Sequence, residues 1–431
     1  MQREAMTRLI EWKNEPDHLP LIIRGARQVG KTWLMQEFGR NYFNKVAYIN
    51  FENNSRMKTL FAGDFDITRI LLGLEVETDM NISASDTLLI FDEIQEAPQA
   101  LSSLKYFREK APEYSILAAG SLLGVALHAD TSFPVGKVDF IDLYPMNYLE
   151  FLAATGNDRL LDLLKSHNWD LIHTFRDKYI DLLRHYYFVG GMPEAVASFA
   201  SNGLKNVRQI QTRLLAAYEQ DFSKHAPNNI VPRIRQLWNS IPAQLAQDNK
   251  KFIYSQVQEG ARAREYDLAM QWLSDCGLIH QVNRVTKPNI PLSAYADPKA
   301  FKTFTLDVGL LAAQSDLSIN AILEGDKIFT EFKGALTEQY VYQQLASRQI
   351  KTYYWYGASA ELDFLIQQSA EIVPIEVKAE ENLKAKSLRS FCEKFQPKYA
   401  IRTSMSNFRR EAWLTNIPLY SIVLLDDLLE T

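Results

Sequence analysis

The sequence predicts a multidomain α/β protein: a mostly parallel sheet covered by helices, then a helical appendage, then a middle segment and a final α/β unit. Three observations predict it. Five short apolar runs alternate with amphipathic segments near the start: LPLIIRG (19–25), KVAYINF (45–51), TLLIFDE (87–93), YSILAAGS (114–121) and KVDFIDL (137–143). Runs of that kind, separated by helical stretches, imply a parallel sheet buried on both faces. The pattern then turns helical from about Pro145 to Lys224, and a second α/β pattern occupies about 300 to the end. The 431 residues, 47% hydrophobic and 23% charged, suit two or three globular domains with sizeable cores.

Four segments are expected: 1–144, 145–224, 225–295 and 296–431. The turn YYFVGGMPEAV (186–196) punctuates the second, and the polar break SKHAPNNIVP (223–232) separates it from the third. The formal net charge of −5 gives no global attraction for nucleic acid, so such binding requires a local patch. The opening MQREAMTRLIEWKNEPDHLP lacks the apolar core of a secretory signal, and YSILAAGSLLGVALHA (114–129) is too short to span a membrane. Cys276 and Cys392 alone make neither a disulfide framework nor a Cys-rich zinc site. A cytoplasmic protein without membrane association is expected.

The first sheet carries the strongest motif, GARQVGKT at 25–32, which matches G-x-x-x-x-G-K-[ST] between the strand LIIR and the helical TWLMQEFG. This is a P-loop. Gly25 and Gly30 allow successive N–H groups to surround a polyphosphate at a helix N-terminus. Gly25, Ala26, Arg27, Gln28, Val29, Gly30, Lys31, Thr32 and Trp33 are the expected ATP-binding residues. Lys31 would reach the β- and γ-phosphates, and the Thr32 hydroxyl would ligate Mg²⁺.

TLLIFDEIQ delivers Asp92 and Glu93 at the carboxyl end of a strand, where ligands bind in open α/β sheets. Asp92 is expected to hold the Mg²⁺, and Glu93 to position and deprotonate the attacking water. The adjacent glutamate favours hydrolysis over phosphoryl transfer to a bound substrate. Ser121, ending the next apolar strand, is placed to hydrogen-bond the γ-phosphate or the water.

These motifs have a collective likeness. GARQVGKT, FDEIQEAP, AAGSLLG, FPVGKVDFIDLYPMNYLEF and YYFVGGMPEAV resemble a bacterial and archaeal family of AAA-type ATPases, related to the signal-transduction ATPases, which carry a C-terminal domain of unknown function. The resemblance runs on through ARAREYDLAMQWLSDCGLI, FKTFTLDVGLLA, GALTEQYVYQQL and ELDF with IEVK. It implies an AAA-type ATPase, and AAA-type sites commonly complete their catalytic group from a neighbouring copy. ATP-dependent self-association is therefore expected. Many such proteins have Gly-Arg where this chain has Gly136-Lys137, and a lysine is a point charge rather than a bidentate fork.

The middle segment resembles a winged helix: IYSQVQEG as a short helix, ARAREYDLAMQWLSDCG as a longer one, and LIHQVNRV as the start of a wing. Leu268, Trp272 and Leu273 fall at helical spacing and read as core. Arg262 and Arg264 share their helix with Glu265, Asp267 and Asp275, so it makes no basic recognition face. A structural role is favoured over DNA binding.

In the last segment, Glu338 on the helical EFKGALTEQYVYQQL, Asp363 on one strand, and Glu376 with Lys378 on the next reproduce the pattern of the PD-(D/E)xK, restriction-endonuclease-like fold. In that chemistry two carboxylates, here Asp363 and Glu376, hold Mg²⁺ beside the scissile phosphate, and Lys378 stabilises developing charge. DNA or RNA is then the expected partner of the C-terminal half. The simpler alternative is an exposed Glu376–Lys378 pair contributing less than about 1 kcal/mol. Two functions follow: an ATPase whose nucleotide state gates a nuclease, with Lys31, Glu93, Ser121, Glu338, Asp363, Glu376 and Lys378 as catalytic residues, or a nucleotide-dependent switch whose nuclease-like domain is a silent scaffold.

Overall fold

The computed structural model describes residues 1–121, 133–247, 251–324, 330–357, 360–381 and 384–430. Part of the apolar stretch 114–129, and of the AAGSLLG motif with it, lies outside the described residues. The chain divides into two compact units: residues 2–144 with 275–277, and residues 145–274 with 278–431, to which Met1 is also assigned.

In the first unit, β1 (Leu21–Arg24), β2 (Lys45–Asn50), β3 (Thr87–Asp92), β4 (Ser115–Gly120) and β5 (Asp139–Asp142) form one sheet in the order β2-β3-β4-β1-β5. Every pairing is parallel. All residues of β3 and β4 are buried, as their unbroken apolar runs require when both faces are covered. Among its described residues the helices are α1 (Ala5–Asn14), α2 (Lys31–Tyr42), α3 (Ser55–Ala62), α4 (Ile67–Thr78) and α5 (Pro98–Lys110). Phe51, Phe61, Phe91 and Phe107 meet edge-to-face in the core on one side of the sheet.

In the second unit, α6 (Tyr148–Ala154), α7 (Asp158–Lys165), α8 (Trp169–Thr174), α9 (Arg176–Val189), α10 (Pro193–Asn202), α11 (Val207–His225) and α12 (Val231–Leu245) precede α13 (Ala263–Asp275). A capping box starts α6, with Asn147 and Glu150 satisfying each other's backbone N–H. Then come β6 (Ile279–Val285), β7 (Ala296–Thr305), α14 (Val308–Gln314), α15 (Ile319–Glu324), α16 (Thr330–Ser347), β8 (Thr352–Tyr356), β9 (Glu361–Gln368) and β10 (Glu371–Val377). The chain ends with α17 (Lys386–Phe395), β11 (Ile401–Ser404), β12 (Arg409–Arg410), β13 (Thr415–Pro418) and α18 (Leu425–Glu430). The eight strands make one sheet, ordered β12-β13-β11-β10-β9-β8-β6-β7.

Two readings of the middle segment change. IYSQVQEG supplies only a 3₁₀ turn at Tyr254–Gln256, and the expected wing strand β6 pairs antiparallel with β7 and parallel with β8. The expected boundary at 295/296 thus falls between two paired strands. Leu268 is not core: it is 69% exposed, whereas Trp272 and Leu273 are buried. The buried stripe of α13 runs through Tyr266, Ala269, Met270 and Leu273, and Leu268 lies on the opposite side at 3.6 residues per turn.

The GGMPE turn and the LDVGLL segment meet at a buried acid. Asp307 accepts hydrogen bonds from Gly191 N (2.6 Å), Leu310 N (3.0 Å) and Gln343 Nε2 (2.9 Å). Burial pushes its carboxyl above the usual carboxylate range, and these donors offset only part of that. Gly190 (φ +73°) is required here, since a Cβ would stand 2.0 Å from Asp307 Oδ1. From α16, Gln343 also accepts from Val308 N, Gln339 bonds both backbone groups of Thr305, and Gln344 accepts from Tyr148 N. Among the described residues no helix is long and apolar enough to cross a membrane.

Candidate functional site

The P-loop follows β1 and ends at Gly30, whose left-handed conformation (φ 96°) turns the chain into α2. Gly25 has φ +149°, and a Cβ there would lie 2.3 Å from Leu143 O. No side chain fits there, so the start of the loop can pack close against the backbone at Leu143. Lys31 is 5% exposed and donates from Nζ to Gly25 O (2.9 Å) and Ala26 O (2.7 Å). Burial pushes its ammonium down to about 8, against the opposing pull of Glu93 and Asp92.

Asp92 ends β3 and is 2% exposed. Its Oδ2 accepts from Thr32 Oγ1 (2.7 Å) and from Tyr48 Oη (2.8 Å), while Oδ1 accepts from Glu93 N (3.0 Å). Glu93 has φ 50°, a left-handed conformation that costs a non-glycine residue on the order of 1 kcal/mol and turns its side chain away from the strand direction. Its carboxylate accepts from Ser121 Oγ (3.2 Å) and Gln95 Nε2 (2.6 Å). Thr32, Asp92, Glu93 and Ser121, read separately from three motifs, are thus linked by hydrogen bonds at the carboxyl ends of β1, β3 and β4, with Lys31 next to Thr32 in the loop. Trp33 is 37% exposed on the first turn of α2, and Lys137 pairs with Glu109 at 3.3 Å.

Residues 17–152 match the AAA domain family. This stretch is an AAA-type P-loop ATPase domain. Residues 180–320 and 333–422 match two families described as domains of unknown function, DUF8612 and DUF4143. Among solved structures, the chain is similar to a Walker-type ATPase of Pyrococcus abyssi at 15% identity, over 73% of this chain and 95% of that one, with a TM-score of 0.47. It is similar to Drosophila ORC bound to DNA at 14% identity, over 73% and 94%, with a TM-score of 0.30. For the Orc1 protein of Aeropyrum pernix in complex with DNA the values are 13%, 75%, 94% and 0.30. Likenesses at this level carry no argument about ligand or partner. No curated protein matches the chain.

Two residues of the AAA domain site escape sequence reasoning. Tyr48 reaches Asp92 from the neighbouring strand, and its phenol is raised well above the ordinary value by burial and by that hydrogen bond. Only the β2–β3 register, with Tyr48 opposite Ile90 and Asn50 opposite Asp92, brings it there. Gln95 fixes Glu93 from a 3₁₀ turn that the sequence does not announce.

The acids of the second unit are arranged differently. Lys378 pairs with Glu376 Oε1 at 2.6 Å, and Glu376 Oε2 accepts from Leu388 N of α17 at 3.1 Å. Asp363 Oδ2 accepts from Val377 N at 2.7 Å. It sits in a β-bulge, where Asp363 and Phe364 together oppose the single Tyr354. Glu338, on α16, faces Lys302 of β7, whose Nζ is 3.8 Å from Glu338 Oε2 and 2.8 Å from Glu361 Oε1. Among the described residues no group of three His, Cys, Asp or Glu side chains could hold a metal ion. Glu338, Asp363 and Glu376 therefore do not gather into one such group. Sequence reading does not find Glu361 and Lys302: Glu361 stands two positions before Asp363 in ELDF, and Lys302 is one of two lysines in the strand ADPKAFKTFT.

Proposed function

We propose that the chain binds and hydrolyses ATP with Mg²⁺ and that its nucleotide state controls the C-terminal half. The observation that supports this most is the sharing of one Asp92 oxygen by Thr32 and Tyr48, next to an ammonium resting on P-loop carbonyls. Lys31 exchanges those two carbonyls for β- and γ-phosphate oxygens, a stronger, charge-assisted interaction. Thr32 and Asp92 fit a hard cation: two oxygen donors already 2.7 Å apart, one of them a carboxylate. When bound, Mg²⁺ neutralises phosphate charge and orients the nucleotide. Glu93 takes the proton of the attacking water, and Ser121 holds Glu93 in position.

The test is paired measurement of binding of a non-hydrolysable ATP analogue and of ATP turnover. Glu93→Gln keeps binding and loses turnover by a factor of about 10² or more. Turnover at the parent rate would remove Glu93 from its assigned role. ATP-dependent self-association is part of the same reading, since Lys137 is engaged by Glu109 and the catalytic cation then comes from a neighbouring copy. Sedimentation with and without the analogue measures it.

For the C-terminal half the sequence α16-β8-β9-β10-α17-β11, with β8–β10 antiparallel and β11 parallel to β10, supports a nuclease-like architecture acting on DNA or RNA. Its acids favour the second reading, a catalytically silent scaffold in a cytoplasmic nucleotide switch, because each is already engaged within the protein. Plasmid cleavage by the purified chain with Mg²⁺ or Mn²⁺ separates the two readings.

A further inference from the structure

We propose that Lys302 is a built-in counter-ion that fills the acidic pocket between α16, β7 and β9, so that this pocket takes up no divalent metal. The inference deepens the silent-scaffold reading and is independent of the ATP site.

Lys302 is 1% exposed on β7, far below what an unpaired lysine tolerates. Its ammonium contacts Glu361 at 2.8 Å and Glu338 at 3.8 Å and lies 5.1 Å from the centre of the Tyr354 ring. Burial alone would lower its proton affinity, but Glu338, Glu361 and Asp363 together raise it above the ordinary lysine value. The lysine is therefore a permanent cation, and three carboxylates from α16 and β9 share its charge.

As long as Lys302 is present, the pocket has the spacing of an ammonium site. Mg²⁺ takes oxygen at about 2.0–2.1 Å and demands near-octahedral geometry, and even Ca²⁺ takes it at about 2.3–2.6 Å. The shortest contact here is 2.8 Å, an ordinary ammonium–carboxylate hydrogen bond. A divalent ion entering the pocket would have to displace a tethered cation. Moving the ammonium out would pull a buried side chain away from its carboxylates in a strand that pairs with β6 from Phe301 to Thr305. The remaining acid of the expected metal set, Glu376, is committed to Lys378 and the first turn of α17.

The experiment is Mn²⁺ titration of the nucleotide-free full-length chain, followed by calorimetry and electron paramagnetic resonance, with Asp92→Asn present throughout so that the ATP site does not contribute. With Lys302 intact, no Mn²⁺ is taken up at millimolar concentration. Lys302→Met, which keeps an unbranched stem as far as Cε and deletes the ammonium, gains one Mn²⁺ per chain, and adding Glu361→Gln removes it again. A Mn²⁺ bound by the Lys302-intact chain and lost on Glu338→Gln or Asp363→Asn would overturn the proposal. So would a Lys302→Met chain that unfolds cooperatively yet gains no Mn²⁺. If Lys302→Met does not fold, the titration of the Lys302-intact chain alone decides. Plasmid cleavage without Mn²⁺ uptake at these acids would sink the silent-scaffold reading while leaving Lys302 where it is proposed to be.

Discussion

Two buried lysines sit beside acidic residues in this protein, and they are held in opposite ways. Lys31 in the AAA domain rests on the carbonyls of Gly25 and Ala26, with Asp92 and Glu93 nearby but bonded to other groups. Lys302 in the second unit bonds a carboxylate directly. A neutral carbonyl is a weak partner for an ammonium, and an arriving phosphate displaces it at a net gain. A carboxylate is already the strongest partner a protein offers. The same residue type is thus waiting for an anion in one place and has found one in the other. The difference in proton affinity follows: burial wins at Lys31 and pushes it down to about 8, whereas the surrounding acids win at Lys302.

That contrast can be broken at either end. The largest effect is expected at Lys302, because deleting one side of a buried ion pair leaves the other charge uncompensated. Lys302→Met should cost about 3–5 kcal/mol of stability in urea unfolding, and a cost under about 1 kcal/mol would mean the pocket is wetter than it looks. Lys31→Ala should leave stability nearly unchanged, since only bonds to carbonyls go, but weaken ATP binding by about 2–4 kcal/mol in calorimetry. A variant that bound ATP at parent affinity would show that the carbonyl-held lysine is not waiting for phosphate. The smallest effect sharpens the comparison. Tyr48→Phe removes one of three donors that hold Asp92, and it should lower the Mg²⁺ dependence of nucleotide affinity about tenfold while leaving metal-free binding alone.

The N-terminal half was largely legible in the sequence, because its elements announce themselves locally. A P-loop is contiguous, and fully buried parallel strands read as apolar runs. TLLIF leading into Asp92 and Glu93 therefore gave both the strand and the residues at its end. What stayed hidden depends on register: Tyr48 is an unremarkable aromatic until β2 is set against β3. The C-terminal acids were visible as residues but not as partners. Period two places Glu376 beside Lys378, as found, but it takes no account of the bulge at Asp363. Nor does it bring in Lys302, about sixty positions before Glu361 and across two intervening strands. Leu268 failed for a related reason, since spacing of four from Trp272 does not say which side of α13 is covered.

The meeting of Gly190, Gly191 and Asp307 has a mechanical consequence. A helical appendage that merely extended from a sheet would be hinged at one end and free at the other. Here the end of α9 is bolted through a fully buried carboxylate to the start of α14, and the glutamines of α16 clamp both sides of the joint. A joint of that kind transmits force and has almost no give, because each bond broken would leave a polar group stranded out of water. Displacing the end of α9 would break the bonds that Asp307 makes to Gly191 and Gln343. The end of α9, the start of α14 and the facing turns of α16 are therefore tied into one joint, five residues along the chain from Lys302.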